Sequence, residues 1–119
     1  MLAQGRFDPP WVRDLASALQ APEERVRQLL RKLARRGEVY QVVRDLFYHP
    51  DVVRELAGLV ASLAQEHEGV LGASAFRDAS GLGRKRAIQI LEFFDRVGYT
   101  RFQRDLRLVR ADSRLLETL

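Results

Sequence analysis

At 119 residues the chain has room for one ordinary domain or two small ones, and its 46% hydrophobic content lets it fold without metal or disulfide staples. It has no cysteine, which excludes thiol catalysis, disulfides and cysteine-containing zinc sites. The net charge of +4 belongs to one end: residues 1–68 hold ten basic and ten acidic side chains, whereas residues 69–119 hold ten basic against six acidic. No apolar stretch is long enough to span a bilayer, so the sequence predicts a soluble, cytoplasmic protein with no membrane partner.

In chain order, Gly5 and the pair Pro9-Pro10 mark residues 1–10 as a lead-in. Trp11, Val12, Leu15, Ala16 and Leu19 recur at helical spacing. A second helix starts near Pro22, with Glu23 and Glu24 at its positive end and a core stripe of Val26, Leu29, Leu30 and Leu33, and it stops at Gly37. Val39–Val43 and Leu46–His49 read as a hairpin around Arg44 and Asp45.

Asp51 is the predicted N-cap of a long helix to about His67, with Val52, Leu56, Leu59, Val60 and Leu63 as its stripe. Glu68 to Gly72 reads as a short connection, and Ser74 as the cap of a helix containing Phe76 and Ala79. A turn with Gly81 and Gly83 leads into a helix whose apolar residues are Ala87, Ile90, Leu91, Phe94 and Val97. At about 100° per residue, Lys85, Gln89, Glu92 and Arg96 fall on its opposite, outer side. Gly98 ends it, and Tyr99–Phe102 with Leu106–Arg110 make a second hairpin whose tip is Gln103, Arg104 and Asp105.

The two halves repeat. Setting Gly37 on Gly98 also matches Gln28 with Gln89, Leu30 with Leu91, Leu33 with Phe94 and Arg35 with Arg96. With a one-residue slip, Arg44, Asp45 and Leu46 match Arg104, Asp105 and Leu106. A helix, a helix-turn-helix and a β-hairpin is the winged-helix order. The predicted fold is therefore mainly α with small β-hairpin wings: two tandem winged-helix domains, residues 1–50 and 51–119. The first copy lacks an opening helix, as expected if Met1 marks a cut within a longer protein.

The copies differ where the second helix of each motif begins. The second has Arg84, Lys85 and Arg86; the first has Glu23, Glu24 and Arg25. Cations at a helix start add to the favourable end of its dipole for phosphate, and carboxylates oppose it. The second copy is thus the predicted nucleic-acid binder, with Arg77, Arg84, Lys85, Arg86, Gln89, Arg101, Arg104 and Arg107 as candidate contacts, and the first a spacer. Of the 20 basic residues 18 are arginine, whose planar fork suits phosphates and stacked bases.

Other chemistry finds little support. GLGRK from Gly81 to Lys85 lacks the spacing and the Ser or Thr of a phosphate loop. His49 and His67 have no partner suggesting a metal or a triad, and Glu92 with Asp95 reads as solvated surface or as ion-pair partners. Tyr99, Phe102, Phe47 and Tyr48 read as packing within hairpins. No catalytic set is present, so the chain is not expected to be an enzyme.

Gly83-Arg84-Lys85, the segment LEFFDR from Leu91 to Arg96 and the pair Thr100-Arg101 resemble the last winged-helix domain of the bacterial selenocysteine-specific elongation factors, the SelB family. WVRDL from Trp11 to Leu15 is similar to the winged helix that precedes it. The resemblance implies a fragment that binds the selenocysteine insertion (SECIS) hairpin of selenoprotein mRNA, supporting UGA recoding. It implies no cofactor in the fragment itself: GTP and Mg belong to upstream domains, and the ribosome and selenocysteinyl-tRNA are met through the full-length factor. A monomer is expected. The chain departs from the family at the wing tip, where members often carry glycine, which implies another turn type there. The alternatives are a DNA-binding transcription regulator, which ordinarily needs two symmetric reading heads, and a protein-interaction module.

Overall fold

The computed structural model describes residues 7–109, and these form two compact units that divide between Val53 and Arg54. Residues 1–6 of the lead-in, and Arg110 at the end of the expected second hairpin, lie outside the described residues.

The first unit contains α1 (Val12–Leu19), α2 (Glu23–Arg35) and an antiparallel hairpin of β1 (Tyr40–Val43) and β2 (Leu46–Tyr48). Val12, Ala16, Val26, Val39 and Phe47 make its core, with Leu15, Ala21, Leu30, Leu33 and Ala34 packed against it. Leu29, expected in that core, is instead 56% exposed, because the buried stripe passes through Val26, Leu30 and Leu33 and leaves Leu29 on its outer edge. Leu19 is also exposed, at the last turn of α1.

Asp45 organises this unit. It sits at the hairpin turn with φ 65°, a left-handed conformation that aspartate tolerates better than most residues. Its carbonyl accepts from the Val12 N–H at 3.0 Å, and its carboxylate accepts from Arg27 Nε and Nη2 at 2.7 and 2.9 Å. One residue thereby ties the turn to α1 and to α2. The Arg27 guanidinium also bonds Glu24 and, at 3.0 Å, Glu23. The bonds to Asp45, first, and to Glu24 raise the Arg27 pKa, and the bond from Arg27 holds the Asp45 carboxyl below its usual range.

Arg54–Leu119, the second unit, takes most of α3 (Pro50–Glu66), followed by β3 (Val70–Leu71), α4 (Ala73–Ser80), α5 (Arg84–Arg96), β4 (Thr100–Gln103) and β5 (Leu106–Val109). The cap of α3 is His49 rather than Asp51: the imidazole Nδ1 accepts from the Asp51 N–H at 3.0 Å, with Pro50 at the first helical position. Likewise α4 starts at Ala73 with Gly72 as its N-cap, which puts Ser74 inside the first turn. The expected connection from Glu68 to Gly72 contains β3, which pairs with β5 and gives a three-stranded sheet of order β3-β5-β4.

Leu56, Ala57, Val60, Leu71, Phe76, Ile90, Leu91, Phe93, Phe94 and Tyr99 are buried here. The Phe94 ring lies 5.4 Å from Tyr99, whose hydroxyl donates to the Ala57 carbonyl at 3.0 Å. Burial pushes the Tyr99 hydroxyl pKa up.

Thr100 and Arg107 are the buried polar residues among those described, and both are bound by Asp95. Thr100 Oγ1 donates to one carboxylate oxygen and Arg107 Nε to the other, at 3.2 Å. The guanidinium also lies 4.8 Å from the centre of the Phe102 ring. Asp95 is on the last turn of α5, so it fixes both wing strands to that helix.

Each anchor has a measurable signature. Asp45 contributes stability above its unfolded pKa of about 3.9, and because its folded value is lower, that contribution is lost as pH falls through the folded value. Exchange of the Val12 amide is therefore expected to accelerate in that acid range, with the acid-dependent step absent from Asp45→Asn. Asp95→Ala leaves the buried Arg107 unpaired, and a loss of about 3 kcal/mol is expected in urea denaturation. Adding Arg107→Leu restores most of it, because an apolar side chain needs no partner there.

Candidate nucleic-acid interface

The approach to α5 is set by its turn. Gly81 closes α4 at φ 75°, its N–H donating to the Arg77 carbonyl at 3.0 Å. Ser80 Oγ bonds the same carbonyl and accepts from the Leu82 N–H. Gly83 then adopts φ −67°, ψ 159° and brings no side chain to cap the helix. The first N–H groups of α5 thus have no side-chain acceptor from the N-cap, and Arg84 and Lys85 stand exposed beside them.

The start of α2 has the same backbone form, with Pro22 at φ −60°, ψ 136° and again no side-chain cap bond. Only the chemistry differs. There Glu23 and Glu24 occupy the positive helix end and fold onto Arg27. A phosphate is attracted at α5 and opposed at α2 by two otherwise alike helix starts.

Arg77 and Arg84 are brought together. With Ala73, Ser74, Ala87 and Ile88 they line a depression of about 220 Å³ between α4 and α5. The Arg77 Nε lies 3.3 Å from Asp78, an exposed pair of little energetic weight that a phosphate can displace. A neighbouring depression of about 410 Å³ shares Ala73 and Ile88, but it carries Glu92, Asp95 and Asp105 together with Arg107 and Phe102. Its three carboxylates disfavour a polyanion, so the basic hollow is the one suited to nucleic acid.

The remaining candidates separate. Gln89 is half-buried on α5, and Arg86 is half-buried with Nε and Nη1 turned inside. Arg101 is exposed opposite Leu108, on the sheet face away from Arg107 and Phe102. Arg104 is exposed at the wing tip. Gln103 pairs with Leu106, so the turn has two residues, and both Arg104 (φ 52°) and Asp105 (φ 66°) are left-handed, as a type I′ turn requires. Glycine ordinarily favours this turn, so the different turn type expected from its absence is not found: the chain makes the glycine-type turn with Arg104 and Asp105 instead.

Arg107 departs from expectation. Rather than reaching outward it is 6% exposed and bound to Asp95. Phe102, expected inside the hairpin, is 53% exposed and covers the Arg107 guanidinium. What the sequence reading missed is the Asp95 anchor and the hollow itself. A signal for the anchor existed: Asp95 and Arg107 are opposite charges on elements that a winged helix packs together.

Comparisons with known proteins bear on the fold and the family. Residues 62–109 match the family model described as "Elongation factor SelB, winged helix", and residues 3–48 match "Selenocysteine-specific elongation factor, winged helix domain". The selenocysteine-specific elongation factor of Escherichia coli is 44% identical over 103 residues, covering 87% of this chain, and that of Haemophilus influenzae 34% over 91 residues, covering 76%. The chain spans 17% and 14% of the length of these curated relatives. The solved mRNA-binding domain of elongation factor SelB from E. coli, in complex with SECIS RNA, superposes with a TM-score of 0.83 at 40% identity, covering 92% of this chain and 93% of that one. With both units matched by models of one family, and a relative 40% identical matched over nearly its whole length, the chain belongs to the SelB elongation-factor family, as a tandem winged-helix region.

Proposed function

We propose that the second unit binds a hairpin in selenoprotein mRNA, the SECIS element, and so ties a selenocysteine-specific elongation factor to its UGA codon. The observation that carries this reading is the pairing of Arg77 and Arg84 in one hollow at the uncapped start of α5, with Lys85 beside it. The likeness to a SelB domain in complex with SECIS RNA supports it. Arg84, Lys85 and Arg77 hold the backbone of the loop, while Gln89 and the wing arginines Arg101 and Arg104 reach for exposed bases and flanking phosphates. An A-form stem hides its major-groove edges, so sequence is read in the loop.

The first unit, residues 1–50 by sequence, does not read the hairpin and acts as the spacer that carries the reader. The fragment works in the cytoplasm as a monomer and performs no chemistry. It needs no cofactor of its own; GTP hydrolysis with Mg, selenocysteinyl-tRNA and ribosome contact belong to other domains of the full-length factor. Tethering raises the local concentration of that factor beside the codon.

The test is titration of the chain with a selenoprotein-mRNA hairpin, a loop-scrambled hairpin and duplex DNA at two salt concentrations. The Arg84→Ala, Lys85→Ala variant is expected to lose at least about tenfold in hairpin affinity, with a salt slope shallower by about 1 to 2. Equal affinity for duplex DNA, or indifference to the loop, overturns the reading. Arg104→Gly separates stability from binding: relief of the left-handed arginine is expected to stabilise the unit by roughly 0.5 kcal/mol, while hairpin affinity falls with the lost cation.

A further inference from the structure

The outer face of α2 carries a row of cations that hairpin reading leaves unused. At about 100° per residue, Arg25, Leu29, Lys32 and Arg36 fall on one narrow stripe, flanked by Gln28 and Arg35. All six side chains are exposed, with Leu29 at the edge of the stripe nearer the core. From Arg25 to Arg36 the row extends on the order of 16 Å along the helix axis.

The acids of α2 are kept off this face. Glu23 and Glu24 are bonded to Arg27, on the side that faces the wing residue Asp45. Beside the stripe stands Glu38, with Oε1 at 3.9 Å from Arg36 Nη2 and both side chains more than half exposed. Such a contact contributes little and exchanges readily for a phosphate. Behind the even charge balance of the first half of the sequence, α2 itself is segregated: its two carboxylates, with Asp45, gather around Arg27, and the cations of the stripe face outward.

We infer that the first unit has an RNA-binding surface of its own on α2, which grips the phosphate backbone of a double-stranded RNA stem without reading its sequence. The choice of RNA among polyanions rests on the proposed function of the second unit. The choice of a duplex rests on the stripe. It holds no aromatic side chain on which an unpaired base would stack, and a row of this length suits the regular phosphates of a stem. The deep, narrow major groove of A-form RNA admits no helix, so α2 lies against the backbone, with Leu29 on sugars and the cations on phosphates. A chain that holds a loop with one unit and a stem with the other gains from effective concentration.

The experiment uses the whole chain and a blunt RNA duplex unrelated to any selenoprotein message. Arg25→Ala, Lys32→Ala and Arg36→Ala are introduced together, both into the parent chain and into the Arg84→Ala, Lys85→Ala background, where the hairpin site is already impaired. In that background duplex affinity is expected to fall at least about tenfold, with a salt slope shallower by roughly 2 to 3. In the parent the triple change leaves the preference for the intact hairpin loop in place. Arg25→Lys, Lys32→Arg and Arg36→Lys together retain duplex binding, which separates charge from folding, and circular dichroism checks each variant. Unchanged duplex affinity and salt dependence in the triple variant overturn the proposal. So does a chain that binds no duplex, which leaves the face to a protein partner. If the parent shows no loop preference but the triple change still abolishes duplex binding, the hairpin reading fails and the α2 surface stands.

Discussion

A wing of two short strands has too little apolar surface to hold its shape in water, so each unit depends on a charged anchor between wing and helix. In the first unit the wing supplies the carboxylate, Asp45, and α2 the guanidinium, Arg27. In the second the polarity reverses, with α5 supplying Asp95 and the wing Arg107. The anchors do not occupy equivalent places. Under the register that sets Gly37 on Gly98, Asp95 corresponds to Ala34, and under the hairpin register Arg107 corresponds to Phe47. Ala34 packs against the apolar cluster that contains Phe47. One copy thus joins helix and strand with hydrocarbon where the other uses an ion pair.

The anchors also decide which charges remain for a ligand. Arg107 is committed to Asp95 and shielded by Phe102, so among the candidate contacts the exposed cations are Arg84, Lys85, Arg101 and Arg104, with Arg77 half-buried on α4. Glu92, Asp95 and Asp105 make the hollow next to the wing unfavourable for phosphate, which confines a polyanion to the α4–α5 side. In the first unit Arg27 gathers the acids of the helix start, and the outer face of α2 is left basic. A strained tip serves the same end, because Arg104 sits at a backbone conformation that glycine would occupy at less cost.

The helices were legible because their apolar residues recur at the helical period over eight or more positions. Their first residues were less so: Asp51 and Ser74 are good capping types, yet His49 and Gly72 hold those places, since several residues near a helix start satisfy the same preference. The two-residue strand β3 is too short for any alternation to show. Arg107 misled for a definite reason. Flanked by Leu106 and Leu108, it reads as the outward position of an alternating strand, whereas the structure buries it and exposes both leucines, because Asp95 is there to receive it. The cationic helix start was legible from charge at a turn. The hollow was not, for it exists only once Arg77 and Arg84, on different helices, are packed side by side.

Two copies of one fold on one chain carry a hazard as they fold, since either hairpin can dock on the wrong helix. The unequal anchors work against this. A wing from the second unit laid on α2 would bring Arg107 to the place held by Phe47, against Ala34, where no carboxylate waits, and a buried guanidinium without its partner costs about 3 to 5 kcal/mol. A wing from the first unit laid on α5 would set Phe47 against Asp95 and leave that carboxylate without its arginine. The reversed and displaced ion pairs thus act as a sorting code, rejecting misassembled hairpins in a chain whose repeats are otherwise similar enough to be confused.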